Sequence, residues 1–149
     1  MSALKPLFYT ALISMALASC SSAQKTKSNT KEIAVTGVLK IDTTFDRTVV
    51  KPNIQILQSS ISGDTLWLDV EYSGGCATHS FELKSKGLWM KSMPPKLNLY
   101  LIHQDGGDAC REVIREKLSF IVNTAQYGSQ HKVRFIVNEN SNNLLEYNY

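Results

Sequence analysis

The sequence predicts an all-β domain, an antiparallel β-sandwich. Hydrophobic and polar residues alternate with period two through most of the chain beyond residue 50. Glycine, proline and asparagine clusters break the alternation at short intervals. The runs between those breaks number about seven, a spacing that fits an immunoglobulin-like layout.

The elements can be read in order. Glu32–Leu39 is expected as a first strand. Ile54–Leu57 precedes Ser62-Gly63-Asp64, a turn signal, so Asn53–Tyr72 reads as a hairpin. In its second half Leu66, Leu68, Val70 and Tyr72 share one face, and Thr65, Trp67, Asp69 and Glu71 share the other. Pro94-Pro95 and Gly106-Gly107 flank the next strong run, whose inward set is Leu97, Leu99, Leu101 and His103. Ala109–Lys117 has two readings: a short helix capped by Asp108, or the start of the strand that carries Leu118, Phe120 and Val122. Val133, Phe135 and Val137 then oppose Arg134, Ile136 and Asn138. The polar turn Asn140-Ser141-Asn142-Asn143 precedes a last alternation of Leu145, Tyr147 and Tyr149. Trp67 and Trp89 are expected near solvent. Gly87-Leu88-Trp89-Met90 then forms an apolar tip, read either as a partner contact or as a plain loop.

The first 31 residues differ in kind. Lys5 and the free amine precede an apolar run, Leu7 to Leu17, broken only by Thr10 and Ser14. That run is too short to span a bilayer as a stable helix, which needs roughly 20 apolar residues. With the small residues after it, it has the form of a cleaved secretory signal helix, residues 1–19. Leu17-Ala18-Ser19-Cys20 resembles the lipobox of bacterial lipoproteins. The resemblance implies a diacylglycerol thioether on Cys20, cleavage before it and acylation of the new amine. Several acyl chains together give stable membrane anchoring. Residues 20–31 then form a lipidated tether, polar and basic with Lys25, Lys27 and Lys31, and too poor in apolar residues to order itself. Ser21 and Ser22 follow the cysteine with no aspartate beside it. In bacteria with two membranes, the sorting pattern of lipoproteins makes that compatible with an outer-membrane site facing the periplasm.

The remainder, 32–149, is about 118 residues, enough for a single domain with its own core. A formal charge of +3 is a weak bias and gives no argument for a nucleic-acid partner. Of three cysteines, lipid consumes Cys20, which leaves Cys76 and Cys110 as an even pair in an oxidising compartment.

Both cysteines lie in segments rich in reactive side chains. Gly74-Gly75-Cys76-Ala77-Thr78-His79-Ser80-Phe81 is one; His103-Gln104-Asp105-Gly106-Gly107-Asp108-Ala109-Cys110 is the other. Extending the alternation puts His79 on the face of Phe81 and Leu83, and His103 on the face of Leu101. Both imidazoles therefore point inward at the core's rim. Bringing the strands together gathers Cys76, His79, His103 and Cys110, with Asp108 nearby. The pair of motifs GGCxxHxF and HxxxxDxC resembles a group of small bacterial envelope lipoproteins. The resemblance implies a β-rich exported domain and carries over no activity.

Three readings compete for this cluster. In the favoured one Cys76 and Cys110 form a disulfide closing about 35 residues, and the histidines are hydrogen-bonded rim residues, His103 to Asp108. In the second, Cys76, His79, His103 and Cys110 ligate zinc or Cu(I), with Asp108 behind them. In the third, Cys76 is a thiol nucleophile activated by His79, oriented by Asp108 and served by amides of Gly74-Gly75. Asp105-Gly-Gly-Asp108 offers too few carboxylates for a calcium loop and reads as a polar turn. The expected function is a lipid-anchored envelope module that binds a protein or small ligand without a cofactor. A zinc or copper protein is the alternative, and a thiol-dependent enzyme comes third.

Overall fold

The computed structural model describes residues 34–51, 53–141 and 144–149. The signal segment, Cys20 and the tether lie outside the described residues, as do Asn142 and Asn143 of the polar turn. The strands are β1 (Gly37–Val38), β2 (Lys40–Ile41), β3 (Ile54–Ser62), β4 (Thr65–Gly74), β5 (Ser80–Ser85), β6 (Trp89–Met90), β7 (Lys96–Gln104), β8 (Glu112–Ile121), β9 (Lys132–Val137) and β10 (Leu144–Asn148). A 3₁₀ turn, Arg47–Val49, is capped by Asp46, whose carboxylate accepts the Thr48 N–H at 2.9 Å.

Two sheets pack face to face. The first runs β1-β8-β4-β3; the second runs β10-β9-β7-β5-β2, with β6 also paired to β7. The all-β sandwich expected from the alternation is therefore present, with one correction. The sheets are mixed rather than purely antiparallel, because β1–β8, β2–β5 and β7–β9 are parallel pairs. The physical reason lies in the connections. Parallel neighbours need a crossover, and the route from β7 to β9 passes through β8 in the opposite sheet. In the first sheet β3 and β4 form a hairpin, and β4 pairs in turn with β8. In the second sheet β9 has β7 as a parallel neighbour.

The core lies between the sheets. Leu66, Leu68, Val70 and Tyr72 of β4 and Leu118 and Phe120 of β8 face Leu83, Leu97, Leu99, Leu101, Val133, Phe135, Leu145 and Tyr147. Full burial of one such side chain contributes roughly 1.5–3 kcal/mol. Tyr147, fully buried, donates its hydroxyl to Asp64 Oδ1 at 2.6 Å. Burial, more than that carboxylate, pushes its pKa up to about 12. A smaller cluster of Phe45, Tyr100 and Ile102 covers part of the outer face of the second sheet. In β3 a register shift between Ile56 and Gln58 inserts Leu57 as a bulge. The bulge explains why the inward residues change phase from Ile54 and Ile56 to Ser59 and Ile61.

Of the two readings of Ala109–Lys117, the extended one is found: β8 begins at Glu112 opposite Gly74. Its first half is mostly exposed, and only Leu118 to Phe120 is fully covered. That exposure is why the segment shows no clear alternation. The first strand is shorter than expected. The chain pairs with β8 at Gly37–Val38 and then with β5 at Lys40–Ile41, so it edges both sheets in turn.

Candidate functional site

The two cysteine–histidine segments meet at one end of the sandwich. β4 ends there at Gly74, β5 begins at Ser80, and β7 ends at Gln104 beside it. The Asp105–Cys110 loop closes over the end, built on an Asp105 turn: its carbonyl accepts the Asp108 N–H at 3.0 Å and its carboxylate the Gly107 N–H at 3.1 Å. The polar-turn reading of Asp105–Asp108 is what the backbone adopts.

Cys76 and Cys110 are joined by a disulfide, with Cα atoms 5.9 Å apart. Asp108 lies against the same bridge. Its Oδ2 accepts the N–H groups of Cys76 and Ala77, each at 2.8 Å, and its Oδ1 accepts the N–H of Cys110 at 2.8 Å. These three amide donors, Cys110 foremost, hold its pKa far below the ordinary carboxylate range. The side chain has no accessible surface. One carboxylate thus ties the two half-cystines together a second time, without a covalent bond.

The histidines form a chain from this carboxylate into the protein. His79 Nε2 lies 3.1 Å from Asp108 Oδ2, and His79 Nδ1 lies 2.8 Å from His103 Nε2. His103 Nδ1 then lies 3.3 Å from Asn53 Oδ1, and Asn53 Nδ2 donates to Asp105 Oδ2 at 3.4 Å. The expected His103–Asp108 bond is therefore corrected: His79 occupies the place next to Asp108, and His103 stands one ring behind it. The cause is strand position. His79 immediately precedes β5, whereas His103 sits inside β7 opposite Phe81.

Aromatic packing fixes both rings. Phe81 stacks on His103 with centroids 5.0 Å apart and planes within 8°. Tyr72 lies 4.8 Å from each imidazole, and its hydroxyl donates to Glu116 Oε2 at 2.8 Å. Burial, then Glu116, pushes the Tyr72 pKa up to about 12. His103 is 3% exposed, as the inward reading requires. Burial first, and then the neighbouring His79, holds its pKa below the usual imidazole value, with Asp105 opposing. Gly74 makes the close approach possible. A Cβ there would stand 2.5 Å from His79 Cε1 and 3.2 Å from Asp108 Oδ2.

Sequence reasoning found Cys76, His79, His103, Cys110 and Asp108, and the fold brings all five to one place. It missed Asn53, which lies 50 residues from His103 in the chain and carries no local signal. The thiols are consumed by the disulfide. The facing histidine nitrogens are directed at each other and at Asp108, not toward a shared point beside the sulfurs. Among the described residues, one candidate metal group has its ligand atoms within 4.8 Å of each other: Cys76, Asp108 and Cys110. In the disulfide form that group offers no thiolate.

Fold and site define a disulfide-latched β-sandwich with a buried Asp–His–His chain at one end. No protein-family model and no curated protein matches the sequence. Three solved structures align with this chain. A protein of unknown function from Bacteroides vulgatus aligns with a TM-score of 0.51 at 15% identity, over 77% of this chain and 56% of that one. A NigD-like immunity protein from Bacteroides caccae aligns at 0.49 and 14%, over 75% and 57%. A candidate lipoprotein from Bacteroides fragilis aligns at 0.45 and 16%, over 77% and 68%. The chain thus spans less than two thirds of the length of the first two, and at 15% identity the likeness to the Bacteroides vulgatus protein is one of fold alone.

Proposed function

We propose that the protein is a lipid-anchored module of the bacterial cell envelope that acts by binding a protein or small ligand, not by catalysis. Lipid on Cys20 holds it to the outer membrane, facing the periplasm, and it needs no cofactor. The observation that carries the reading is the Cys76–Cys110 disulfide. It removes the thiol that a cysteine enzyme needs, and it belongs to an oxidising compartment outside the cytosol. The Asp–His–His chain behind it serves as a rigid brace for the loop end. The lipobox-like Leu17-Ala18-Ser19-Cys20 supports the anchor.

Fractionation with labelled fatty acid tests this. Cys20→Ala is expected to take up no label and to leave the membrane fraction. A variant that stays in the membrane and still takes up label overturns the lipoprotein reading.

A second reading, metal binding, is favoured by one observation, the proximity of Asp108 to both sulfurs. Reduction would return two thiolates beside that carboxylate, giving Cys76, Cys110 and Asp108 as ligands for zinc or copper instead of the four-residue set with His79 and His103. Zinc titration before and after reduction separates the two. The oxidised protein is expected to bind no more tightly than about micromolar. Stoichiometric metal with two alkylatable thiols in protein taken directly from the envelope makes metal binding the function.

A further inference from the structure

We propose that the opposite end of the sandwich, centred on Lys86–Lys96, docks onto an anionic lipid surface. The latched end would then project away from the bilayer. The proposal builds on the lipid-anchored reading, but its test does not use the anchor.

The chemistry begins in the sequence. From Leu83 to Gln104 there is no acidic residue, while Lys84, Lys86, Lys91 and Lys96 alternate with Leu88, Trp89, Met90, Met93 and two prolines. The fold exposes this segment at its tip. Leu88 is 71% and Met93 83% exposed, and Met90, Tyr127 and Ile41 are also open to solvent. Met90, Met93 and Tyr127 line a common cleft with Lys91 and Pro95, Leu88 lies against a second depression with Lys86, and Gly87 packs beside Ile41. The Trp89 ring lies 4.9 Å from that of Tyr127. Tryptophan and tyrosine suit the headgroup level, where an amphipathic ring has both an apolar and a wet side.

Charge favours a lipid surface over a protein groove. Lys84 is paired with Glu82 at 3.1 Å. Lys91 and Lys96 form no ion pair among the described residues. Their long stems can lie along apolar surface while the ammonium groups reach phosphates. The length of the chain allows this placement. Ala34, the first described residue, accepts the Ser119 hydroxyl, and β1 then runs parallel to β8 toward the tip. The 13 residues from Ser21 to Ile33 reach at most about 45 Å when extended, ample to bring a lipidated Cys20 to the plane of the tip.

The probe is a set of vesicles of phosphatidylethanolamine with or without phosphatidylglycerol. The protein is the unlipidated chain Ser21–Tyr149, which retains the whole core from Leu39 to Tyr147. The expected result is co-sedimentation with the phosphatidylglycerol vesicles. Partition should fall about tenfold in Leu88→Ser/Met93→Ser, whose changed side chains are exposed and leave the core intact. In a Trp67→Phe background, Trp89 emission should shift to the blue and be quenched by brominated lipid. The basic tether is unchanged in the double variant, so any loss reports the tip. Equal partition of the double variant together with unquenched Trp89 overturns the proposal. So does a concentration-dependent dimer in solution that the same double variant abolishes, which would assign the patch to a second copy of the chain. Neither result bears on Cys20, whose acylation is tested separately.

Discussion

His79 Nδ1 and His103 Nε2 are 2.8 Å apart, so a single proton lies between the two rings. The ionised Asp108 carboxylate can only accept, which puts a proton on His79 Nε2. When both rings are uncharged, His79 Nδ1 must accept and His103 must donate through Nε2. His103 Nδ1 is then a bare lone pair facing the Asn53 amide. With Asn53 presenting Oδ1, as it is oriented, that contact is completed by one further proton on the pair. With the amide turned over, its NH₂ would complete the contact, but the hydrogen bond from Asn53 Nδ2 to Asp105 Oδ2 would be lost.

The pH dependence follows from burial. His103 is held below the ordinary imidazole value of 6.5, so the unfolded chain takes up a proton that the folded one resists. Its contribution is present above about pH 6.5 and is lost progressively as pH falls below that toward the lower folded value. Asp108, depressed below its ordinary 3.8, adds a second loss as pH falls below about 4. Thermal melts from about pH 7.5 to 5 should show Tm falling on acidification. His103→Gln, which cannot titrate, should flatten that segment. An unchanged slope in the variant would remove His103 from the account.

Gly74→Ala is expected to destabilise by about 1–3 kcal/mol, because the new methyl must displace a buried ring. Gly63→Ala is the control. Its φ of +54° is unfavourable for alanine, but nothing stands within 4 Å, so the loss should be nearer 1 kcal/mol. Denaturant midpoints of the two variants check the order. NMR of the His79 ring should move in Gly74→Ala alone.

Replacing both cysteines, Cys76→Ala/Cys110→Ala, should lower stability by about 3–4 kcal/mol in the chain-entropy model. Urea unfolding of the oxidised wild type and the double variant measures it. A difference under about 1 kcal/mol would mean that the unfolded chain is already constrained near these positions.

Leu68→Asp and Leu99→Asp should each unfold the domain, since both side chains are fully buried between the sheets. An unpaired buried charge costs several kcal/mol, comparable to the stability of a small domain. Asp69→Ala removes a half-buried surface pair with Lys117 and should change stability by no more than about 0.5 kcal/mol. Melts of the three variants decide it; equal tolerance would contradict the assigned faces.

Those faces were legible because a strand shows its burial every second residue. Leu66, Leu68 and Val70 announce one sheet; Leu97, Leu99 and Leu101 announce the other. The cluster was legible in part, since each cysteine has a histidine a few residues away. Its internal wiring was not. Whether Asp108 meets His79 or His103 depends on how β5 and β7 register against the Asp105–Cys110 loop, and Asn53 arrives from a distant hairpin. The parallel pairs were hidden for a similar reason: alternation marks faces, not neighbours.

Asp108 also bears on the order of events as the chain matures. Its two oxygens accept amides from both half-cystines, so the carboxylate holds together the backbone positions that the sulfur bond also joins. A chain that has folded before meeting an oxidant already holds its thiols as neighbours. Oxidation is then an intramolecular step at high effective concentration, not a search across 34 residues of loop. If the Asp108 contacts persist after reduction, re-forming the bond is intramolecular in the same way.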